Sequence, residues 1–243
     1  VPTALAIEPE EERAGALFRL EGALAPFVAI DVAAHVAASA PSIRKRVLGA
    51  AIAALGAGLA VRTPIADPRE GARLAWRSLA GTSRDRLEVL ALDFARDRVL
   101  PSVRPEARRL IDRAKKDGAR LVLVSDGLDV VAREVANALG FDEVLANAMV
   151  FEDDGAGGEQ ATGELASPRV GPEIDTTRLA MLARGWGISL ERSAAYGGLE
   201  GDAMLLGRVG RPCALAPDRG LCRIARDLDW PIVMPAPREE SVR

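Results

Sequence analysis

Leu17-Phe18-Arg19-Leu20-Glu21-Gly22-Ala23-Leu24 decides how this chain is read. It is a short apolar run broken by a Glu-Gly turn, the pattern of a buried strand that stops where the backbone must reverse. In open α/β sheets the carboxyl ends of the strands face the crevice where ligands bind. Arg19, Glu21 and Gly22 are therefore expected at a crevice edge.

The flanking sequence supports an α/β fold. Residues 26–99 read almost wholly as helix, punctuated by Pro41, Pro64 and Pro68, with Gly81-Thr82-Ser83 as a start signal for the segment Arg84 to Val99. A helical block between the first two strands is an insertion. From Pro101 onward, strand and helix alternate. Pro105 to Lys116 reads as helix, Ala119 to Val124 as strand, Val130 to Leu139 as helix, and Glu143 to Leu145 as strand. Pro172 to Trp186 and Ala203 to Val209 read as helices, with Ala194-Ala195-Tyr196 as a short strand between them. Pro212 to Ala216, Leu221 to Leu228 and Trp230 to Val233 close the series. Such alternation favours parallel strands joined by right-handed crossovers. Met149 to Glu152 and Thr162 to Leu165, around a Gly and Asp cluster, read as a hairpin. The expected division is a leader at 1–14, an α/β core at 15–32 and 100–235, a helical insertion at 33–99 and a tail at 236–243.

Composition narrows the function. The 243 residues are 49% hydrophobic but only 4% aromatic, so Ala, Leu and Val must supply most of a substantial core. A net charge of −3 without a polybasic run leaves no electrostatic footprint for nucleic acid. No apolar run reaches the length of a bilayer span and no secretory pattern opens the chain, so neither membrane insertion nor export is expected. Cys213 and Cys222 lack C-x-x-C spacing, which argues against zinc and leaves a reduced, cytoplasmic chain as the expectation. Only Lys45, Lys115 and Lys116 are lysines. His35, the only histidine, has no Ser or Cys partner pattern, so no nucleophilic triad is available.

The opening stretch resembles the first motif of the haloacid dehalogenase superfamily, in its phosphoserine-phosphatase-like branch, where an apolar run precedes Asp-x-Asp-Gly-Thr-Leu. The resemblance implies a Rossmann-like core with a parallel sheet and helices on both faces, plus an inserted all-helical cap. It also implies phosphomonoester hydrolysis with Mg²⁺. Here, however, Arg19 stands at the nucleophilic aspartate, Glu21 at the acid/base aspartate and Ala23 at the threonine. Ser125, after Leu121-Val122-Leu123-Val124, matches the second motif, whose hydroxyl and following amides bind phosphoryl oxygens. Asp126-Gly127 is expected to start the next helix and to point free N–H groups at the crevice; in the alternative reading Ser125 merely caps that helix. The order of Leu139 to Asn147 followed by Thr162-Gly163 also fits the family. At the third motif Asp175 replaces the lysine, with Arg178 the nearby cation and an ordinary exposed helix arginine as its alternative reading. At the fourth, in Tyr196-Gly197-Gly198-Leu199-Glu200-Gly201-Asp202, Gly198 replaces the first metal aspartate. Asp202 keeps the second, and Glu200 lies two residues out of register. Asp227-Leu228-Asp229 reads as surface charge.

These substitutions imply a degenerate site. A unit charge about 4 Å from a divalent ion, at an effective dielectric of 20, is repelled by roughly 8 kcal/mol, so Arg19 and Mg²⁺ should not share it. Too few carboxylates are left for an octahedral Mg²⁺ shell. The expected arrangement is a sign-exchanged ion pair between Arg19 and Asp175. Three functions follow from it. The first is a non-catalytic protein with a binding, scaffolding or regulatory role. The second is a binding module for a small anion, using Arg19, Gly22, Ser125, Asp126 and Gly127. The third is a phosphomonoesterase with an altered route through Glu21.

Overall fold

The computed structural model describes residues 12–27, 29–39, 43, 47, 51, 75–167, 169–171 and 176–235. Strand β1 (Arg13–Arg19) is the apolar run that opens the fold. Its first two residues fall inside the span expected as a leader. Helix α1 (Ala29–Ala38) follows, and the chain returns through α2 (Arg84–Phe94), which runs on through a π-helical turn at Ala95–Val99 and a short helix at Leu100–Ser102. Most of the expected cap between α1 and α2 lies outside the described residues. What is described of it is helical at 43, 47, 51 and 75–77 and passes through turns at 78–81 to a bridge between Ser83 and Gln160. Helix α3 (Pro105–Lys116) begins on proline at its first turn, where no N–H is required, and leads to β2 (Arg120–Leu128) through Gly118 at φ +72°.

Helix α4 (Asp129–Leu139) ends at Gly140 in the left-handed conformation and feeds β3 (Glu143–Asn147). Strands β4 (Met149–Asp153) and β5 (Glu159–Leu165) pair as the antiparallel hairpin expected there. The remainder is α5 (Thr176–Gly185), β6 (Ile188–Gly197), a 3₁₀ turn at Glu200–Asp202, α6 (Ala203–Leu206), β7 (Arg211–Leu215), α7 (Arg219–Asp227) and β8 (Ile232–Val233).

Six of the strands form one sheet in the order β3-β2-β1-β6-β7-β8, every neighbouring pair parallel. The sheet is buried on both faces, which is why its strands are continuous apolar runs rather than alternating ones. Successive side chains still part to opposite sides. Phe18, Leu121 and Leu123 join the core that carries α1, α2, α3 and α4, while Leu17, Val122 and Val124 join the core under α5, α6 and α7. Phe18 stacks on Tyr196 with ring centroids 4.3 Å apart, a large apolar contact in a chain with few aromatic residues.

Three readings from sequence are corrected. Strand β6 runs ten residues rather than three, because Ile188 and Ser189 pair with Arg13 and Ala14 at the start of β1, ahead of a register shift that spans Glu191 and Arg192. The helix expected to reach Val209 stops at Leu206. Asp126 and Gly127 belong to the end of β2, and α4 begins only at Asp129. The hairpin is tied to the start of α2: Gly81 N–H donates to Ala161 C=O at 2.8 Å and Ala161 N–H returns to Thr82 C=O at 2.8 Å. Among the described residues, no helix is long and apolar enough to cross a membrane.

Candidate functional site

Strand β1 sits at the centre of the sheet and delivers Arg19 as its last residue. The chain then doubles back: Leu24 N–H donates to Arg19 C=O at 3.1 Å and Ala25 N–H to Leu20 C=O at 3.1 Å. Gly22 takes φ +76°, where a side chain would be strained, and a Cβ built on it would lie 2.7 Å from Leu199 Cγ. This turn places Glu21 beside the end of β2, with Arg104 donating from Nη2 to Gly22 C=O at 3.2 Å.

The Arg19 side chain is 1% exposed and lies between two carboxylates. Nη2 meets Asp126 Oδ2 at 2.5 Å and Nε meets Asp202 Oδ1 at 2.8 Å. Both are ion pairs without the alignment of good hydrogen bonds, and Nη1, like Asp126 Oδ1, has no hydrogen-bond partner among the described residues. Burial works against the guanidinium's charge, but Asp126, Asp202 and Glu21 outweigh it and hold Arg19 firmly protonated. Asp202 is fixed from its other oxygen, Oδ2 accepting from Gly198 N–H at 2.8 Å and Leu199 N–H at 2.9 Å. Burial raises its pKa, opposed by Arg19 and by those two amides.

Glu21 is also buried, at 1% exposure. Its Oε1 accepts from Ser125 Oγ at 2.6 Å and Gly127 N–H at 3.1 Å, and its Oε2 from Asp126 N–H at 3.2 Å. The donors expected to face an empty crevice thus converge on the protein's own carboxylate. Ser125 accepts in turn from Gly127 N–H at 3.0 Å and does not cap a helix. Burial, then the charge of Asp126, pushes the Glu21 carboxyl up to about 7, against the pull of Arg19 and Ser125.

The other candidate residues are placed apart from this cluster or in a different role. Asp175 lies outside the described residues; among the described residues, the carboxylates that pair with Arg19 are Asp126 and Asp202. Arg178 donates to Arg169 C=O at 3.1 Å. Glu200 turns toward α7, where its Oε1 lies 3.7 Å from Arg223 Nη2. His35 packs on Phe94 at 5.4 Å, and Asp227 to Asp229 are exposed.

Asn147 carries a role that its sequence context did not signal. Buried at 2% exposure, it donates from Nδ2 to Asp126 C=O and to Val170 C=O, both at 2.8 Å, and accepts Val170 N–H at 2.7 Å. It pins the end of β2 to the segment after the hairpin. Its position closing β3, at the carboxyl edge of the sheet, is the one signal that marks it.

Gly198 explains why a metal shell does not fit. A Cβ built there would lie 2.5 Å from Ala23 N and 2.5 Å from Gly22 C, backbone atoms that cannot yield as a flexible side chain would. The position that carries the family's first metal carboxylate has room for none. With Arg19 between Asp126 and Asp202, and no convergent set of three His, Cys, Asp or Glu side chains suited to a metal among the described residues, the donor set does not fit Mg²⁺. Gly198→Ala is expected to destabilise the fold by about 1–3 kcal/mol through this overpacking, measurable as a lowered urea midpoint. An unchanged midpoint would show that the two loops part easily.

Comparison with known proteins agrees with this architecture. A model of the family described as haloacid dehalogenase-like hydrolase matches residues 16–206. The chain belongs to that family. Its fold is that of the phosphoserine-phosphatase-like branch: the solved phosphoaspartyl-intermediate analogue of a phosphoserine phosphatase aligns with a TM-score of 0.63 at 19% identity, covering 92% of this chain and 93% of that one. Among sequence relatives, the inhibition of morphological differentiation protein of Streptomyces azureus is 33% identical over 153 residues, 63% of this chain and 53% of the relative. A probable phosphatase of Mycobacterium tuberculosis is 31% identical over 154 residues, 63% of this chain and 52% of the relative. The chain thus spans about half the length of the curated relatives it matches.

Proposed function

We propose that this chain is a non-catalytic haloacid dehalogenase-family protein whose crevice is closed by its own charges, and that it serves a binding, scaffolding or regulatory role. The observation that carries this reading is the buried Arg19 held by Asp126 and Asp202 at the position of the family's phosphoryl acceptor. A guanidinium that is charged at every physiological pH does not attack phosphorus. Family chemistry also calls for a free acid/base, and Glu21 is committed to three donors at the end of β2. Gly198 contributes no carboxylate, and its contact with the Gly22-Ala23 peptide leaves no space for one.

The loss is cumulative. In another hydrolase the nucleophile alone is worth on the order of 10⁶ in turnover, and the groups of such a site act as a unit. The expected result is no hydrolysis of phosphoserine or p-nitrophenyl phosphate above the protein-free background, with or without added Mg²⁺. Metal-dependent turnover that copurifies with the folded chain would overturn the proposal.

A further inference from the structure

We propose that the amino edge of the sheet holds a binding site for a small phosphate-bearing anion, at the opposite end of β1 from the closed crevice. Arg13 opens the strand that Arg19 ends, and six strand rises set the two about 20 Å apart. A cavity of about 340 Å³ lies at the Arg13 end, and its lining includes Lys115, Gly118, Arg120, Gly140 and Asp142. That volume is at the small end of the range for ligand sites. The cavity shares no residue with the cluster of Arg19, Glu21, Asp126 and Asp202, so the inference goes beyond the non-catalytic reading and does not rest on it.

The charge of the lining selects the ligand. Three cations and one carboxylate line a single cavity, on a chain whose net charge is −3. Local roles account for only part of them. Arg120 Nη2 pairs with Glu143 Oε1 at 2.5 Å, yet its Nε is buried with no hydrogen-bond partner among the described residues. Lys115 Nζ donates to Leu139 C=O at 2.6 Å, an ordinary place for a cation at a helix end, and this uses one of its three N–H groups. Gly140 permits that reach, since a Cβ on it would lie 2.7 Å from Lys115 Nζ. The Arg13 guanidinium has no ion pair or hydrogen bond among the described residues. Asp142, the one acid of the lining, accepts Leu121 N–H on Oδ2 at 2.7 Å. Arg13 and Lys115 therefore stand against a single carboxylate, and they enter from separate elements, β1 and α3. A phosphate group presents several oxygens on one centre, so it accepts a guanidinium fork and an ammonium together. A dicarboxylate carries similar charge on two planar groups held apart by carbon, which makes it the control for ligand class.

The probe is pyrophosphate, titrated calorimetrically into the wild-type chain in metal-free buffer, with malonate as the comparison and ionic strength matched by sodium chloride. Pyrophosphate is expected to bind, and Arg13→Met and Lys115→Met are each expected to weaken it about tenfold, the loss of a charge-assisted hydrogen bond. Arg98→Met removes an exposed arginine from the π-helical turn and should leave the affinity unchanged. Arg13 is itself exposed, and removing it leaves no buried group unpaired, so that variant keeps the fold. It decides the matter even if Lys115→Met, which uncaps Leu139 C=O, is too unstable to titrate. No binding by wild type overturns the proposal, as does equal affinity for malonate. Binding that Arg13→Met leaves intact also overturns it, because the anion then sits elsewhere, the crevice included. Phosphatase turnover by wild type would sink the functional proposal without touching this measurement, which reads binding at the other end of the sheet.

Discussion

Arg19→Asp is expected to destabilise the protein by more than about 3 kcal/mol and to restore no phosphatase activity. The substitution writes the family's nucleophile back into the sequence, yet it breaks two buried ion pairs, and stranding a buried charge costs roughly 3–5 kcal/mol. It also sets a fourth carboxyl beside Glu21, Asp126 and Asp202 while removing the cation that all three face. Mg²⁺ does not compensate, because Gly198 supplies no ligand and has no space to gain one. Arg19→Met separates charge from bulk. It should be destabilised less at pH 5 than at pH 8, since at lower pH the buried acids are neutralised by protons instead of by the guanidinium. Urea denaturation followed by circular dichroism reads both variants. An Arg19→Asp protein as stable as wild type, or one that hydrolyses phosphoserine with Mg²⁺, would contradict the account of the crevice.

The second large effect is a pH dependence that Glu21→Gln should flatten. Glu21 rises from an ordinary carboxyl value of 4.5 to about 7 in the fold. A raised carboxyl means the native state binds its proton more tightly than the unfolded chain does. Below pH 4.5 both states hold the proton and the group is neutral in its effect. Between 4.5 and 7 the unfolded chain releases it first, so stability falls as pH rises, and above 7 the penalty is constant at about 3 kcal/mol. Glutamine removes that slope but turns an amide toward backbone donors, so the difference between slopes is the diagnostic quantity rather than stability at one pH. Asp202, also raised by burial, contributes with the same sign and leaves the variant a residual slope. Parallel stability profiles for wild type and Glu21→Gln between pH 5 and 8 would refute the assignment.

Much of this fold was legible because its strands are unbroken apolar runs bounded by glycine and proline, as at Leu121 to Val124 and at Pro105. Strand β6 was not legible before Ala194, because its first half carries Glu191 and Arg192 in the irregular stretch between the two registers in which it pairs with β1. Asp126 and Gly127 read as a helix start because both residue types favour such positions. Their amides instead extend the strand and turn to Glu21.

The site was legible as letters but not as contacts. Resemblance pairs position 19 with position 175, which lies outside the described residues. Among the described residues, what meets Arg19 is a pair of acids, Asp126 at the end of β2 and Asp202 in the 3₁₀ turn. Nor does the letter at 21 announce its function. A glutamate is one methylene longer than the aspartate it replaces, and the place it reaches depends on where β2 ends, a tertiary fact absent from local pattern.

The backbone contact between Gly198 and Gly22-Ala23 works as a ratchet. A substitution that puts an acid at 198 drives two backbone segments into each other before it can offer any oxygen to a cation. An acid at 198 therefore requires remodelling of the turn after Arg19, at residues that themselves bring no reactive group.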